Sequence, residues 1–327
     1  MPRALRLPML LAAVAAALAG CGGSSSQPSG QDPQKLLEQT FGDAQRPVSS
    51  GRLKVDVRVR AAGIDGVPSP LRLTLSGPFQ GVSGGGTPRF AFDLRLATAD
   101  GSATIGVIST GKRGWVRLGQ RAYTLSAGQF AQLGGSTAPA DAGGGVSLAA
   151  LGVDPQSWLR ATREVGVETL DGVKVVHLRS GVDEAKLLAD VARVLKRAGG
   201  LGAVAGVGSL STLDTQAAAR ALKGVTVDVW TGERDHILRR LRVLARVDTA
   251  AQRGGTIVLD LTLAGIGEKQ AIGPPANPRP LSELASALSE LARSGTPSSN
   301  TTPGYEACVT DAGGDVAKTQ ACSRLLR

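Results

Sequence analysis

Arg52-Leu53-Lys54-Val55-Asp56-Val57-Arg58-Val59-Arg60 alternates charged and apolar residues without a break. Side chains of a β-strand point to opposite faces in turn, so Leu53, Val55, Val57 and Val59 share one side and the charges the other. The same pattern recurs downstream. Leu71, Leu73 and Leu75 alternate with Arg72, Thr74 and Ser76. Phe90, Phe92, Leu94 and Leu96 alternate with Arg89, Ala91, Asp93 and Arg95, and Ala103, Ile105 and Val107 begin a fourth strand. Period-two patterning predicts antiparallel strands with one wet face and one covered face.

Outward from this core, Trp115–Leu118 and Arg121–Leu125 read as a hairpin around Gly119-Gln120. Arg163–Thr169 and Val173–Arg179 read as a second hairpin through Asp171-Gly172, a strong two-residue turn signal. Strands return at Val225–Trp230, Ile237–Asp248 and Thr256–Ala264. Helices are fewer. Gln34–Phe41 carries Leu36, Leu37 and Phe41 on one side. Asp154-Pro155 opens a short helix over 155–160, with Asp154 as N-cap and Pro155 in the first turn. Asp183–Arg197 carries the stripe Leu187, Leu188, Val191, Val194 and Leu195, and Leu213–Leu222 reads as a second helix after a Gly-rich apolar stretch. Nine or ten one-sided strands must share one sheet, and a sheet that size curls. The expected fold is α+β: a large curved antiparallel sheet, a half-barrel, with a few helices on its concave face and a C-terminal helical extension. A covered apolar face of this kind either packs solid or encloses a cavity.

The chain begins with basic Arg3 and Arg6, then an apolar run from Leu7 to Leu18 too short to span a bilayer. Leu18-Ala19-Gly20-Cys21 follows, which resembles the lipobox of bacterial lipoproteins. That resemblance implies removal of residues 1–20 and lipid modification of Cys21, with palmitate-like acyl chains tethering the protein to the extracytoplasmic face of the cell membrane. Residues 21–34, Gly/Ser/Gln/Pro-rich, form a flexible tether. The formal charge of +10 falls to +8 without Arg3 and Arg6, which suits attraction to anionic head groups. Nucleic acid is a poor partner: the arginines spread along strands and are not interleaved with aromatics, which make up 3% of the chain. Beyond Cys21 only Cys308 and Cys322 remain. In an oxidising compartment they are expected to pair, stapling a helical hairpin at 304–327 and contributing about 3 kcal/mol by loop closure.

With Ser50-Gly51-Arg52-Leu53, Ser76-Gly77-Pro78-Phe79, Ile108-Ser109-Thr110-Gly111 and Val225-Thr226-Val227-Asp228-Val229-Trp230-Thr231-Gly232 in that order, the chain resembles the LppX/LprAFG lipoproteins of actinobacteria. These are a branch of the LolA-like half-barrel fold. The resemblance covers roughly residues 35–265; the domain is placed at 35–272, with a Pro-rich linker and short helix over 273–303. It implies a lipid or glycolipid ligand carried across the cell envelope, no cofactor, no catalysis, and leaves a transporter partner open. The residues expected to line a lipid cavity are Leu53, Val55, Val57, Leu73, Phe92 and Leu94, faced by Leu187, Leu188, Val191 and Leu195. The alternative is a membrane-tethered interaction module whose core is filled by its own side chains.

Motifs of catalysis do not survive their context. Gly106–Lys112 fits seven positions of a phosphate-binding loop, but Arg113 stands where a Ser or Thr is needed and no helix follows. Gly81-Val82-Ser83-Gly84-Gly85 has a nucleophile-elbow spacing in a glycine loop between strands. His177 and His236 lack partners at metal-ligand spacing, and His177 reads as a partly covered strand residue. Of the basic stripe Arg239, Arg240, Arg242 and Arg246, Arg240 and Arg242 are the candidates for head-group contact, against the simpler reading of a solvated strand face. Expression with an alkyne fatty acid tests the anchor. The wild type is expected to label on Cys21 and lose residues 1–20, and Cys21→Ser to do neither.

Overall fold

A computed structural model describes residues 28–42, 45–64, 67–82, 87–99, 101–131, 153–193 and 219–284. Cys21, Ser83, Leu195, Cys308 and Cys322 lie outside the described residues. Twelve strands form a single sheet: β1 (Ser50–Arg60), β2 (Leu71–Gln80), β3 (Arg89–Ala97), β4 (Ser102–Thr110), β5 (Gly114–Leu118), β6 (Arg121–Thr124), β7 (Leu159–Leu170), β8 (Val173–Val182), β9 (Leu222–Gly232), β10 (Leu238–Val247), β11 (Gly255–Ala264) and β12 (Arg279–Pro280). Their spatial order is β12-β6-β5-β4-β3-β2-β1-β11-β10-β9-β8-β7. β7 and β12 are the two edges, so the sheet stays open, and the chain folds as an α+β half-barrel. Every pairing is antiparallel except β12 on β6.

The registers keep the alternation in phase from strand to strand. Leu53, Val55, Val57 and Val59 lie opposite Leu263, Leu261, Leu259 and Ile257 of β11. On the other side Val55, Val57 and Val59 meet Leu75, Leu73 and Leu71 of β2. Leu73 and Leu75 then meet Leu96 and Leu94, which meet Ala103 and Ile105. A slip of one residue in any pair would turn a whole apolar row to water, so burial itself specifies the register. Gly77 marks the tightest approach. A Cβ there would stand 1.9 Å from the Ala91 carbonyl oxygen, so only glycine fits between β2 and β3. Asp171 and Gly172 both have positive φ, 49° and 79°, as a two-residue hairpin turn requires.

Two helices and a helical stretch flank the sheet. α1 (Pro33–Phe41) is capped by Asp32, whose carboxylate accepts from the Lys35 amide. α2 (Pro155–Trp158) is shorter than the sequence predicts, and the Asp154 side chain makes no cap hydrogen bond. The Asp154 backbone N–H is instead held by Asp190 at 2.8 Å. The chain extends into β7 directly after Trp158, four residues earlier than the alternation predicts. Residues 184–193 are helical, and Asp183 accepts from the Lys186 amide at their start. Of the predicted 213–222 helix, 219–221 are helical and Leu222 already belongs to β9. Among the described residues no helix is long and apolar enough to cross a membrane.

Two features depart from simple alternation. β7 carries two register shifts against β8, and Ala161 takes a positive φ of 48°. The shifts put Glu164 opposite Leu178 and Glu168 opposite Val175, so two glutamates of equal parity face opposite sides of the sheet. After β11, the chain is drawn back along the sheet. The Gln270 amide donates to Gln80 Oε1 at 3.2 Å, Arg89 donates to the Ile272 carbonyl, and Arg279 and Pro280 pair with Tyr123 and Thr124. Replacing Gly77 by Ala is expected to lower stability by about 2–3 kcal/mol in urea unfolding, the cost of overpacking. Gly128→Ala, where an added Cβ meets nothing within 4 Å, is expected to leave stability the same or higher.

Candidate ligand-binding face

The covered face of the sheet divides into a filled half and an open half. In the filled half, Val176 and Leu178 of β8, Val225, Val227 and Val229 of β9, Leu241 and Ala245 of β10 and Leu261 of β11 form the largest buried cluster. Leu36, Leu37 and Phe41 of α1 and Trp158 of α2 complete it. Polar ties fix the helices there. Thr40 and Thr231 share a hydrogen bond of 2.8 Å in the interior, and Thr40 also donates to the Leu36 carbonyl. The buried Asp190 accepts from the Trp158 indole at 3.2 Å and pairs with Arg193, which pins the 184–193 stretch over α2.

The open half lies on β1–β5. Leu73, Leu75, Leu94, Ile105 and Leu118 point to the same side as the filled half, by register, yet among the described residues they belong to none of the three buried clusters. Each is half-buried. Two smaller clusters bound this area, one around Val59, Leu71 and Val247 and one around Val48, Phe79 and Phe90. Phe90 and Phe92 stack with ring centroids 5.4 Å apart at the second margin. With strands about 4.8 Å apart, five of them make an apolar face about 20 Å wide. A field of half-buried aliphatic side chains is an unusual use of surface, because completing the burial of each would stabilise the fold by up to about 1 kcal/mol more.

The residues singled out from the sequence fall at different places on this face. Leu73 and Leu94 lie in its open centre, and Phe92 and Val57 at its margins against the two smaller clusters. Leu53 and Val55 pack against the filled half. Leu187 packs there as well, Leu188 is half-buried, and Val191 is exposed at 38%. Leu75, Ile105 and Leu118 extend the open area and were not singled out, although the alternation that marks Leu73 and Leu94 marks them too.

The opposite face carries a belt of ion pairs. Asp56 is buried and receives Arg58, Arg72 and Thr74. Arg117 pairs with Asp93. Arg240 pairs with Asp260 and lies over the Trp230 ring, 4.9 Å from its centroid. His177 stacks on Trp230 at 4.3 Å, its Nδ1 2.8 Å from Glu168 and its Nε2 2.9 Å from Asp228. It is buried, not partly covered, because β9 and the shifted β7 close over it from both sides. Arg179 also donates to Asp228, and the Trp230 indole to Glu168. Arg240 is thus occupied within the sheet, and Arg242 lies in register between Asp228 and Asp260. Arg239 pairs with Asp235. The stripe reads as ordinary periodicity in the sequence; pairing β9, β10 and β11 supplies its carboxylates. Among the described residues no group of His, Cys, Asp and Glu is arranged to hold a metal ion.

No family model matches the chain, and no curated protein matches it. Among solved structures it is similar to LprF from Mycobacterium bovis, at 13% identity and a TM-score of 0.40, over 75% of this chain and 97% of that one. It is similar also to the Mycobacterium tuberculosis lipoprotein LppX, at 14% identity and a TM-score of 0.35, over 74% of this chain and 100% of that one. Both carry names of the lipoprotein group that the sequence motifs resemble. At this distance neither identifies a ligand.

Burial works against the ionised Asp228, yet hydrogen bonds and charge from Arg179 and His177 outweigh it and hold its pKa below the usual carboxylate range. Asp56 is lowered in the same way: burial opposes ionisation, and Arg72, Arg58 and Thr74 prevail. A carboxylate with a depressed folded-state pKa contributes stability that is present above its unfolded value near pH 4 and is lost as pH falls through the folded one. Asp228→Asn is therefore expected to cost about 1–3 kcal/mol at pH 7. It should also make stability fall less steeply below pH 4 in urea titrations.

Proposed function

We propose that the chain is a membrane-anchored lipoprotein that holds the acyl chain of a lipid or glycolipid against the open apolar face of β1–β5. The observation that carries this reading is the set Leu73, Leu75, Leu94, Ile105 and Leu118, aligned on one face, half-buried and, among the described residues, outside every buried cluster. An acyl chain is the ligand such a surface suits. It needs no hydrogen bonds, it matches a field of Leu, Val and Ile, and each methylene removed from water contributes about 0.8 kcal/mol. A dozen methylenes amount to about 10 kcal/mol before the cost of ordering the ligand.

The roles follow from position. Leu53, Val55, Val57, Leu73, Phe92 and Leu94 form the floor, with Leu75, Ile105 and Leu118 extending it. Leu187, Leu188, Val191 and Leu195 belong to the segment proposed to border the ligand from the filled half, against which Leu187 packs. The ion-paired outer face stays in water, where Arg240 and Arg242 are the proposed contacts to anionic head groups of the bilayer and not to the held lipid, which lies on the other side of the sheet. Acylated Cys21 would hold the domain at the extracytoplasmic face, on a tether whose reach is on the order of 20 Å. That is short enough to keep the face near the bilayer, where a lipid is lifted out or set down for transport or chaperoning. Binding, not catalysis, is the proposed activity.

The test is extraction of the purified full chain with organic solvent and mass spectrometry of what leaves with it. A co-purifying lipid near one per protein is expected. Leu75→Glu/Leu94→Glu is expected to lose it while keeping the β-sheet circular dichroism of the wild type. A lipid-free wild type, or equal lipid in the double variant, would sink the proposal and favour a filled core.

A further inference from the structure

A cleft of about 630 Å³ lies on the other side of the sheet, between the turn joining β4 to β5, Arg89 of β3 and the returning segment at Ile272 and Pro274. By register Trp115 pairs with Ile108, and Ile108 with Ala91, so Trp115 points away from Phe92, Val107 and the apolar face. Among the described residues the lining is mainly apolar but holds three cations, Arg89, Lys112 and Arg113, and no carboxylate. This sets it apart from the rest of that face, where Asp56, Asp93, Asp228 and Asp260 each receive a guanidinium. Arg89 donates to the neutral Ile272 carbonyl, which fixes its position and leaves its charge uncompensated. Lys112 and Arg113 are exposed and extend from a short turn beside it.

Trp115 supplies a second, independent observation. It lines the same cleft and is 4% exposed, and its indole N–H is buried with no hydrogen-bond partner. Buried donors are almost always paired, and one left open asks for an acceptor. Among three cations the acceptor of matching charge is an anion. The volume falls in the range of small-molecule sites, and an apolar wall with a few converging polar groups is their usual make-up.

We propose that this cleft binds a phosphate-bearing organic molecule, its oxyanion held by Arg89, Lys112 and Arg113 and accepting the Trp115 N–H, its organic part against Ile272 and Pro274. Arginine and lysine beside a neutral, desolvated donor suit phosphate oxygens. The phosphate belongs either to a soluble metabolite or to the head group of a lipid. The site does not depend on the acyl-chain face, which lies on the opposite side of the sheet.

Calorimetric titration of the full chain tests it, with phenyl phosphate as probe, phenol as its uncharged counterpart, and glycerophosphoglycerol as a head group without acyl chains. At least one of the two phosphates is expected to bind saturably at one site, and phenol not to bind. Lys112→Ala/Arg113→Ala is expected to weaken binding at least tenfold, and Trp115→Phe about threefold or more. Leu75→Glu/Leu94→Glu is expected to leave it unchanged. Tighter glycerophosphoglycerol assigns the cleft to lipid head groups and tighter phenyl phosphate to soluble organophosphates; either upholds it. Failure of both phosphates to saturate, phenol binding as well as phenyl phosphate, or full affinity in the double alanine variant, whose two changes are on the surface, overturns the proposal.

Discussion

Everything in this molecule follows from one constraint: a twelve-stranded open sheet has an apolar row on one side only. The row runs in phase from β5 through β1 to β8, because cross-strand burial penalises any slip. A sheet of this size cannot bury that side against itself, so something must be laid on it. α1, α2 and the 184–193 stretch cover the β7–β11 half, with Thr40, Thr231 and Asp190 as polar ties that fix where they sit. Among the described residues these helices leave β1–β5 without a covering layer, and the aliphatic field there is what remains.

The opposite side solves a different problem. Strands rich in arginine would repel one another if left unpaired, and the carboxylates of β1, β3, β9 and β11 answer them across the strands. His177 is enclosed within it, stacked on Trp230 and held at both ring nitrogens by carboxylates. Paired charges in these positions keep the outer face hydrated, so an acyl chain finds its apolar surface on the other side of the sheet. A break in the belt lies at the cationic cleft under the returning segment, where no described residue of the lining is a carboxylate and Trp115 lacks an acceptor.

How much of this was legible in the sequence depends on the range of the interaction. The alternation at 52–60 and 71–76, the Asp171-Gly172 turn and the stripe after Asp183 are local signals, and the strands, the hairpin and the 184–193 helix follow them. Leu73 and Leu94 were legible as inward residues for the same reason. Three features were not. The double register shift in β7 sends Glu168 to His177 and Glu164 to the amide and hydroxyl of Ser29, which no parity count foresees. The parallel pairing of Arg279-Pro280 with β6 joins residues 150 or more positions apart through a two-residue strand that has no periodicity to read. The half-buried state of the β1–β5 face reflects how far the described helices extend across the sheet, a property of the assembled layers and of no single segment.

Photo-crosslinking addresses the apolar face most directly. A diazirine-bearing fatty acid is bound to the full chain, irradiated, and the labelled peptides are mapped by mass spectrometry. Labels on residues 71–75, 92–96 and 103–107, competed away by unlabelled fatty acid, are the expected result. Labels confined to the ion-paired face, or absence of competable labelling on β2, β3 and β4, would contradict the claim that this half of the sheet is a ligand-binding surface.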